Sequence, residues 1–244
     1  MASKIKEAIL IHGWDTHRYN HNLPPNPPEN VAWKHRQEFI SFLEKSYQLK
    51  YFNLPGFCGT SEPNESNFTL QDFSTSLHSW LKKEESSPSV IIGYSFGGAV
   101  ALDHKIRFQD TTPIVLVSPA LIRQETLKSK IAHRLKKALP LVVSNNLKSI
   151  YQTLFSRYYR QGSSFLKESY DQIVRQDLRP LLKQVNPEEI LLIYGEQDTD
   201  TPWKLVEDFV EQNGLNYLLI PNGTHAIGQT HPEKITQAIE NFIR

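Results

Sequence analysis

Ser89-Val90-Ile91-Ile92-Gly93-Tyr94-Ser95-Phe96-Gly97-Gly98-Ala99-Val100-Ala101-Leu102 is the stretch whose reading decides the fold. A short β-branched run ends in glycine, and a helix-like run begins three residues later. Between them stands Ser95, with small residues two positions away on either side. A serine at the junction of a buried strand and a helix is the pattern of a nucleophile elbow. The turn is tight, so the flanking positions must be tiny to avoid clashing with strand and helix. The hydroxyl is then presented at the strand's C-terminal end. The backbone N–H of Phe96 falls at the helix N-terminus, where an oxyanion is stabilised. The competing reading is a glycine-rich strand–helix turn with a solvated serine.

Outward from this stretch the same alternation repeats. Ala8-Ile9-Leu10-Ile11, Tyr51-Phe52, Ile114-Val115-Leu116-Val117, Ile190-Leu191-Leu192-Ile193 and Tyr217-Leu218-Leu219-Ile220 read as further strands. Near-continuous apolar runs suit strands covered on both faces. Trp33 to Ser46, Thr69 to Leu81, Trp203 to Asn213 and Pro232 to Arg244 read as helices between and after them. Phe73, Leu77, Trp80 and Leu81 lie on one face of the second. Strands alternating with helices predict an α/β fold, with a mostly parallel sheet of about six strands in three layers.

The alternation breaks between residues 119 and 188. No strand pattern is found there. Leu127, Ile131, Leu135 and Leu139 recur at fours, and Phe165 to Gln176 and Leu178 to Gln184 read as helices. This segment holds 13 Lys and Arg against 5 Asp and Glu, leaving 14 against 21 in the rest of the chain. Residues 1–118 and 189–244 therefore form the expected core, and 119–188 an inserted helical cap. An insertion at this place lies over the strands' C-terminal edge, where open α/β sheets bind ligands. Its positive charge either attracts anionic substrates or a membrane surface, or is a solvated helix face docked on an acidic core. The second is the preferred reading.

The 244 residues carry a net charge of +1, which disfavours nucleic acid as a partner. The single cysteine, Cys58, excludes an internal disulfide framework and a cysteine-based zinc site. His17 and His21 lie four apart but without carboxylate support, so no metal site is expected. No signal peptide and no apolar stretch near 18 residues is found, so a cytoplasmic protein without stable membrane insertion is expected.

A neutral serine needs a base, and the base needs an orienting acid. His225 follows the last strand, in Gly223-Thr224-His225, at the same sheet edge as Ser95. His12 also ends a strand, but its Gly13-Trp14 neighbours point to another role. His231 precedes a helix-starting proline and reads as structural. For the acid, Asp198 and Asp200 compete in Gly195-Glu196-Gln197-Asp198-Thr199-Asp200-Thr201-Pro202, with Glu196 third. Asp198 is favoured by its place in the turn, and Asp200 suits a helix N-cap.

These residues together resemble the α/β-hydrolase superfamily, and most of all its small capped esterase and lactonase-type members. His12-Gly13-Trp14 is similar to the family's oxyanion loop. Pro55-Gly56-Phe57-Cys58-Gly59-Thr60-Ser61 resembles a second loop of the family with one extra residue. The 93–98 stretch matches the elbow, Gly195 to Pro202 the acid loop, and Gly223-Thr224-His225 the histidine loop. The chain begins at the first parallel strand, so the family's two N-terminal antiparallel strands are expected to be missing. The proline-rich segment 15–30 has no counterpart in the pattern.

The resemblance implies a serine hydrolase of carboxylic esters or lactones, working through a covalent acyl-enzyme. Ser95, His225 and Asp198 would be the catalytic residues. The N–H groups of Trp14 and Phe96 would form the oxyanion hole. His12, Gly13, Tyr94 and Phe57 would contribute to substrate binding, with lid aromatics such as Tyr158 and Tyr159. No metal or organic cofactor is required. The alternatives are a non-catalytic ligand receptor on the same fold and a non-hydrolytic enzyme such as a hydroxynitrile lyase or perhydrolase.

Overall fold

The computed structural model describes residues 6–15, 19–122, 162–174 and 176–244. Six parallel strands form one sheet, in the order β2-β1-β3-β4-β5-β6. They are β1 (Lys6–Ile11), β2 (Tyr47–Phe52), β3 (Val90–Tyr94), β4 (Ile114–Val117), β5 (Ile190–Gly195) and β6 (Asn216–Ile220). Every residue of β3, β4 and β5 is buried, as their unbroken apolar runs require. The edge strands β2 and β6 are partly exposed and carry polar residues.

Among the described residues the α-helices are α1 (Gln37–Leu43), α2 (Leu70–Lys83), α3 (Phe96–Arg107), α4 (Ser164–Ile173), α5 (Arg179–Leu182), α6 (Glu207–Gln212), α7 (Ile227–Thr230) and α8 (Pro232–Phe242). Helix α3 packs on α2 and α5, while α8 packs on α1 and α7, giving the expected three-layer α/β arrangement around the sheet. Thr69 and Asp72 start α2 with a reciprocal capping box, in which the Asp72 carboxylate accepts the Thr69 N–H at 2.8 Å.

Two expected helices are shorter than their sequence pattern. Trp33 to Ser46 divides into a 3₁₀ turn, Val31–Trp33, and α1. Trp203 to Asn213 divides into a 3₁₀ turn, Trp203–Leu205, and α6. In both, a buried tryptophan, Trp33 or Trp203, lies in the 3₁₀ turn, and a buried residue three positions on, Arg36 or Val206, is the N-cap of the α-helix that follows. The cap of the second turn is Pro202, so Asp200 does not serve as the expected N-cap.

Between β4 and β5, α4 and α5 lie in the segment expected to be all-helical. The repeat from Leu127 to Leu154, His17, Tyr158 and Tyr159 lie outside the described residues. The proline-rich loop is tied down where it is described. The Asn20 amide donates to the Gly56 carbonyl at 2.8 Å and accepts the Cys58 N–H at 3.0 Å. Cys58, the extra residue of that second loop, takes a left-handed turn (φ 56°).

Candidate active site

The direct passage from β3 into α3 forces Ser95 into an unfavourable backbone conformation, φ 54° and ψ −116°. Backbone hydrogen bonds hold it there. Its N–H donates to the Val117 carbonyl at 2.9 Å, and its own carbonyl accepts the N–H groups of Gly98 and Ala120, each at 3.0 Å. The turn is so tight that a β-carbon on Gly93 would lie 2.5 Å from the Gly97 carbonyl oxygen. No residue larger than glycine fits there without moving backbone.

Three loops at the same sheet edge bring Ser95, His225 and Asp198 together. The Ser95 Oγ lies 3.2 Å from His225 Nε2, and His225 Nδ1 lies 2.9 Å from Asp198 Oδ2. Since the carboxylate only accepts, Nδ1 carries the proton and Nε2 is free to accept one from the serine. The Asp198 carboxylate is fully buried, and the His225 ring is 22% exposed. Burial alone would raise the Asp198 pKa. The hydrogen bond and charge of His225, with two hydrogen bonds from Thr201, outweigh it and hold the carboxyl below its ordinary range. Of the competing acids, Asp198 therefore faces the histidine. Asp200 is exposed, and its backbone N–H donates to Asp198 Oδ1 at 2.9 Å.

A cavity of about 120 Å³ opens over Ser95 and His225. Its wall is largely apolar, with Trp14, Phe96, Tyr170, Ile173 and Leu178 among the lining residues. Trp14 packs edge-on against Phe57 and Phe96, with ring centroids 5.0 and 5.2 Å away. Tyr170 and Ile173 come from α4, so the segment between β4 and β5 supplies part of the wall.

Four residues expected to bind substrate stand behind this wall. His12 is buried. Its Nε2 accepts the Leu54 N–H at 3.1 Å, and its Nδ1–H donates to the Gly13 carbonyl at 2.7 Å. Burial pushes its pKa down to about 4, so the ring is neutral. A trans peptide points its N–H opposite to its C=O. Pinning the Gly13 carbonyl therefore turns the Trp14 N–H the other way. Gly13 is a place of close approach: a β-carbon there would lie 2.9 Å from Ser95 Cβ. Tyr94 is buried and bonded to the His225 loop. Phe57 is buried against Trp14, His12 and Tyr19. None of the four lines the cavity, because each is consumed in packing or hydrogen bonding one layer beneath it.

Thr201 escaped the sequence reading. It is buried, lines the cavity, and places its hydroxyl 2.8 Å from Asp198 Oδ2. The available signal was a hydroxyl residue three positions after a carboxylate, the spacing of a local side-chain hydrogen bond.

The chain belongs to the alpha/beta hydrolase family, whose profile matches residues 8–238. It is 23% identical over 266 aligned positions to a pimeloyl-[acyl-carrier protein] methyl ester esterase of Neisseria meningitidis serogroup C, covering 100% of this chain and 95% of the relative. Among solved structures, an esterase from Exiguobacterium antarcticum superposes with a TM-score of 0.67 at 16% identity, covering 98% of this chain and 91% of that one. A bromoperoxidase from Bacillus anthracis does so with a TM-score of 0.65 at 18% identity, covering 98% and 92%. Structural likeness at such identities establishes the fold. Among the described residues, no helix is long and apolar enough to cross a membrane.

Proposed function

We propose that the protein is a serine hydrolase of carboxylic esters. The observation that carries this reading is the unbroken contact from Ser95 Oγ through the His225 ring to the Asp198 carboxylate, opening on an apolar cavity. Ser95 Oγ attacks the ester carbonyl carbon as its proton passes to His225 Nε2. The negative charge formed on the carbonyl oxygen is received by the N–H groups of Phe96 and Trp14. One such donor is worth about 2.7–4 kcal/mol of barrier. Collapse of this intermediate breaks the C–O bond, and His225 gives its proton to the departing alcohol. Water then attacks the acyl-serine, with His225 taking the water's proton and returning it to Ser95. Asp198 keeps the proton of the ring on Nδ1 and stabilises the imidazolium in both halves.

In this reading residues 119–188 form a cap over the reacting serine. Tyr170 and Ile173 on the cavity wall support that. The similar proteins named as methyl ester esterases make small alkyl esters the first substrates to offer. The largely apolar wall favours an uncharged acyl chain.

The deciding experiment compares the purified protein with Ser95→Ala on p-nitrophenyl esters of graded chain length, methyl esters and a lactone panel. Turnover by the wild type that is lost in Ser95→Ala is the expected result. Turnover on none of them, or equal turnover by both proteins, overturns the reading. Binding without turnover would identify a receptor instead.

A further inference from the structure

The Asp198 carboxylate has places for four hydrogen-bond donors, and all four are filled. Oδ1 takes the backbone N–H groups of Asp200 and Thr201, each at 2.9 Å. Oδ2 takes His225 Nδ1–H at 2.9 Å and the Thr201 hydroxyl at 2.8 Å. Three of the four donors thus come from two consecutive residues, and only one from the imidazole.

The Thr201 hydroxyl has two further neighbours. Its oxygen is 3.2 Å from the Ser118 carbonyl and 3.3 Å from His225 Nδ1. A hydroxyl owns one proton and two lone pairs. The charged carboxylate is nearer than the carbonyl, so the proton rests on Asp198 while the histidine is neutral. Turned toward Ser118, the same hydroxyl would present a lone pair to the Nδ1–H. The carbonyl that makes this second position available belongs to a buried residue in a left-handed conformation, φ 45°, at the end of β4.

We infer that Thr201 is a positioning residue of the reaction. Its hydroxyl fixes the Asp198 carboxylate against the histidine and, by turning its proton to the Ser118 carbonyl, faces the imidazolium with a lone pair. No bond is made or broken in this step. One hydrogen bond is exchanged for another as positive charge gathers on the ring. The inference rests on the reading of Ser95, His225 and Asp198 as catalytic residues.

The test substitutes Thr201→Val, which keeps the shape and removes the hydroxyl, and Thr201→Ser, which restores it. Thr201→Val is expected to lower kcat about tenfold. KM stays within about twofold, because the interaction strengthens only as charge develops. In the resting protein the His225 Nδ1–H proton resonance moves from its wild-type position. Thr201→Ser recovers both kcat and resonance. If Thr201→Val does not fold, Thr201→Ala carries the same comparison. Wild-type kcat and resonance in the hydroxyl-free variant would overturn the inference, as would a loss that Thr201→Ser fails to repair. Failure of the hydrolase reading is separately visible as absence of Ser95-dependent turnover in the wild type. The resonance comparison needs no turnover and still reports whether Thr201 holds the Asp198–His225 contact.

Discussion

The hydroxyl of Tyr94 donates to the backbone carbonyl of His225 at 2.7 Å, across 131 residues of sequence. The same oxygen accepts the Gly228 N–H at 3.3 Å. The residue before the elbow serine thus holds both ends of the turn that carries the histidine. The Arg36 guanidinium lies over the Tyr94 ring, 4.1 Å from its centroid. Tyr94→Phe leaves two main-chain groups without their partner. It is expected to cost about 1–3 kcal/mol of stability and to lower kcat more than it raises KM. Urea unfolding and steady-state ester kinetics on the same preparation check both effects.

The choice between the two acids of the 195–202 loop is testable by exchange to amides. Asp198→Asn presents an N–H or a weaker acceptor to the imidazole and favours the wrong tautomer. Activity is expected to fall by about 10⁴. Asp200→Asn retains the backbone N–H that bonds Asp198 Oδ1 and is expected to stay within about tenfold of wild type. Equal losses in the two variants would contradict the assignment.

Gly13 is hemmed in by the elbow. A methyl group there would meet Ser95 Cβ at 2.9 Å and the Tyr94 carbonyl oxygen at 3.2 Å. Gly13→Ala is therefore expected to displace the serine relative to His225. A misplacement on the order of 1 Å costs about 100-fold in rate. Circular dichroism should show a folded protein, and kcat/KM should show the loss.

Acid sensitivity follows from buried histidines. Burial holds His12 at about 4, well below its ordinary 6.5, and burial likewise holds His104 at about 4. The unfolded chain binds protons between these values that the native state refuses. The stabilisation is complete above pH 6.5 and is lost as the pH falls toward 4. For a fully buried ring such as His12 this amounts to about 3 kcal/mol. The unfolding free energy is expected to fall between pH 7.5 and pH 5, with the His12 ring still neutral by NMR. A flat profile over that range would contradict the prediction.

The strands and the three side chains that meet at the sheet edge were legible because their signals are local. An apolar run ending in glycine marks a strand and its turn wherever the rest of the chain lies. Ser95, Asp198 and His225 each stand next to such a run. What surrounds them depends on distant partners. His12 carries the same chemistry as His225, and only its bonds to Gly13 and Leu54 show that it is a buried prop. Tyr94 and Phe57 look like pocket aromatics in sequence, but the direction of a side chain at a loop or strand end is set by what packs behind it. Thr201 was hidden for the opposite reason, since a threonine before a proline is ordinary until a carboxylate and an imidazole close on it.

Ser95 and His225 are 130 positions apart, and the second follows the last strand of the sheet. On the proposed mechanism, a chain emerging from the ribosome carries its serine before the base that would activate it. The hydroxyl would gain that base only when the loop after the final edge strand docks. A serine-directed phosphonate label would then count finished molecules, which makes reactivity a clock for the last step of assembly.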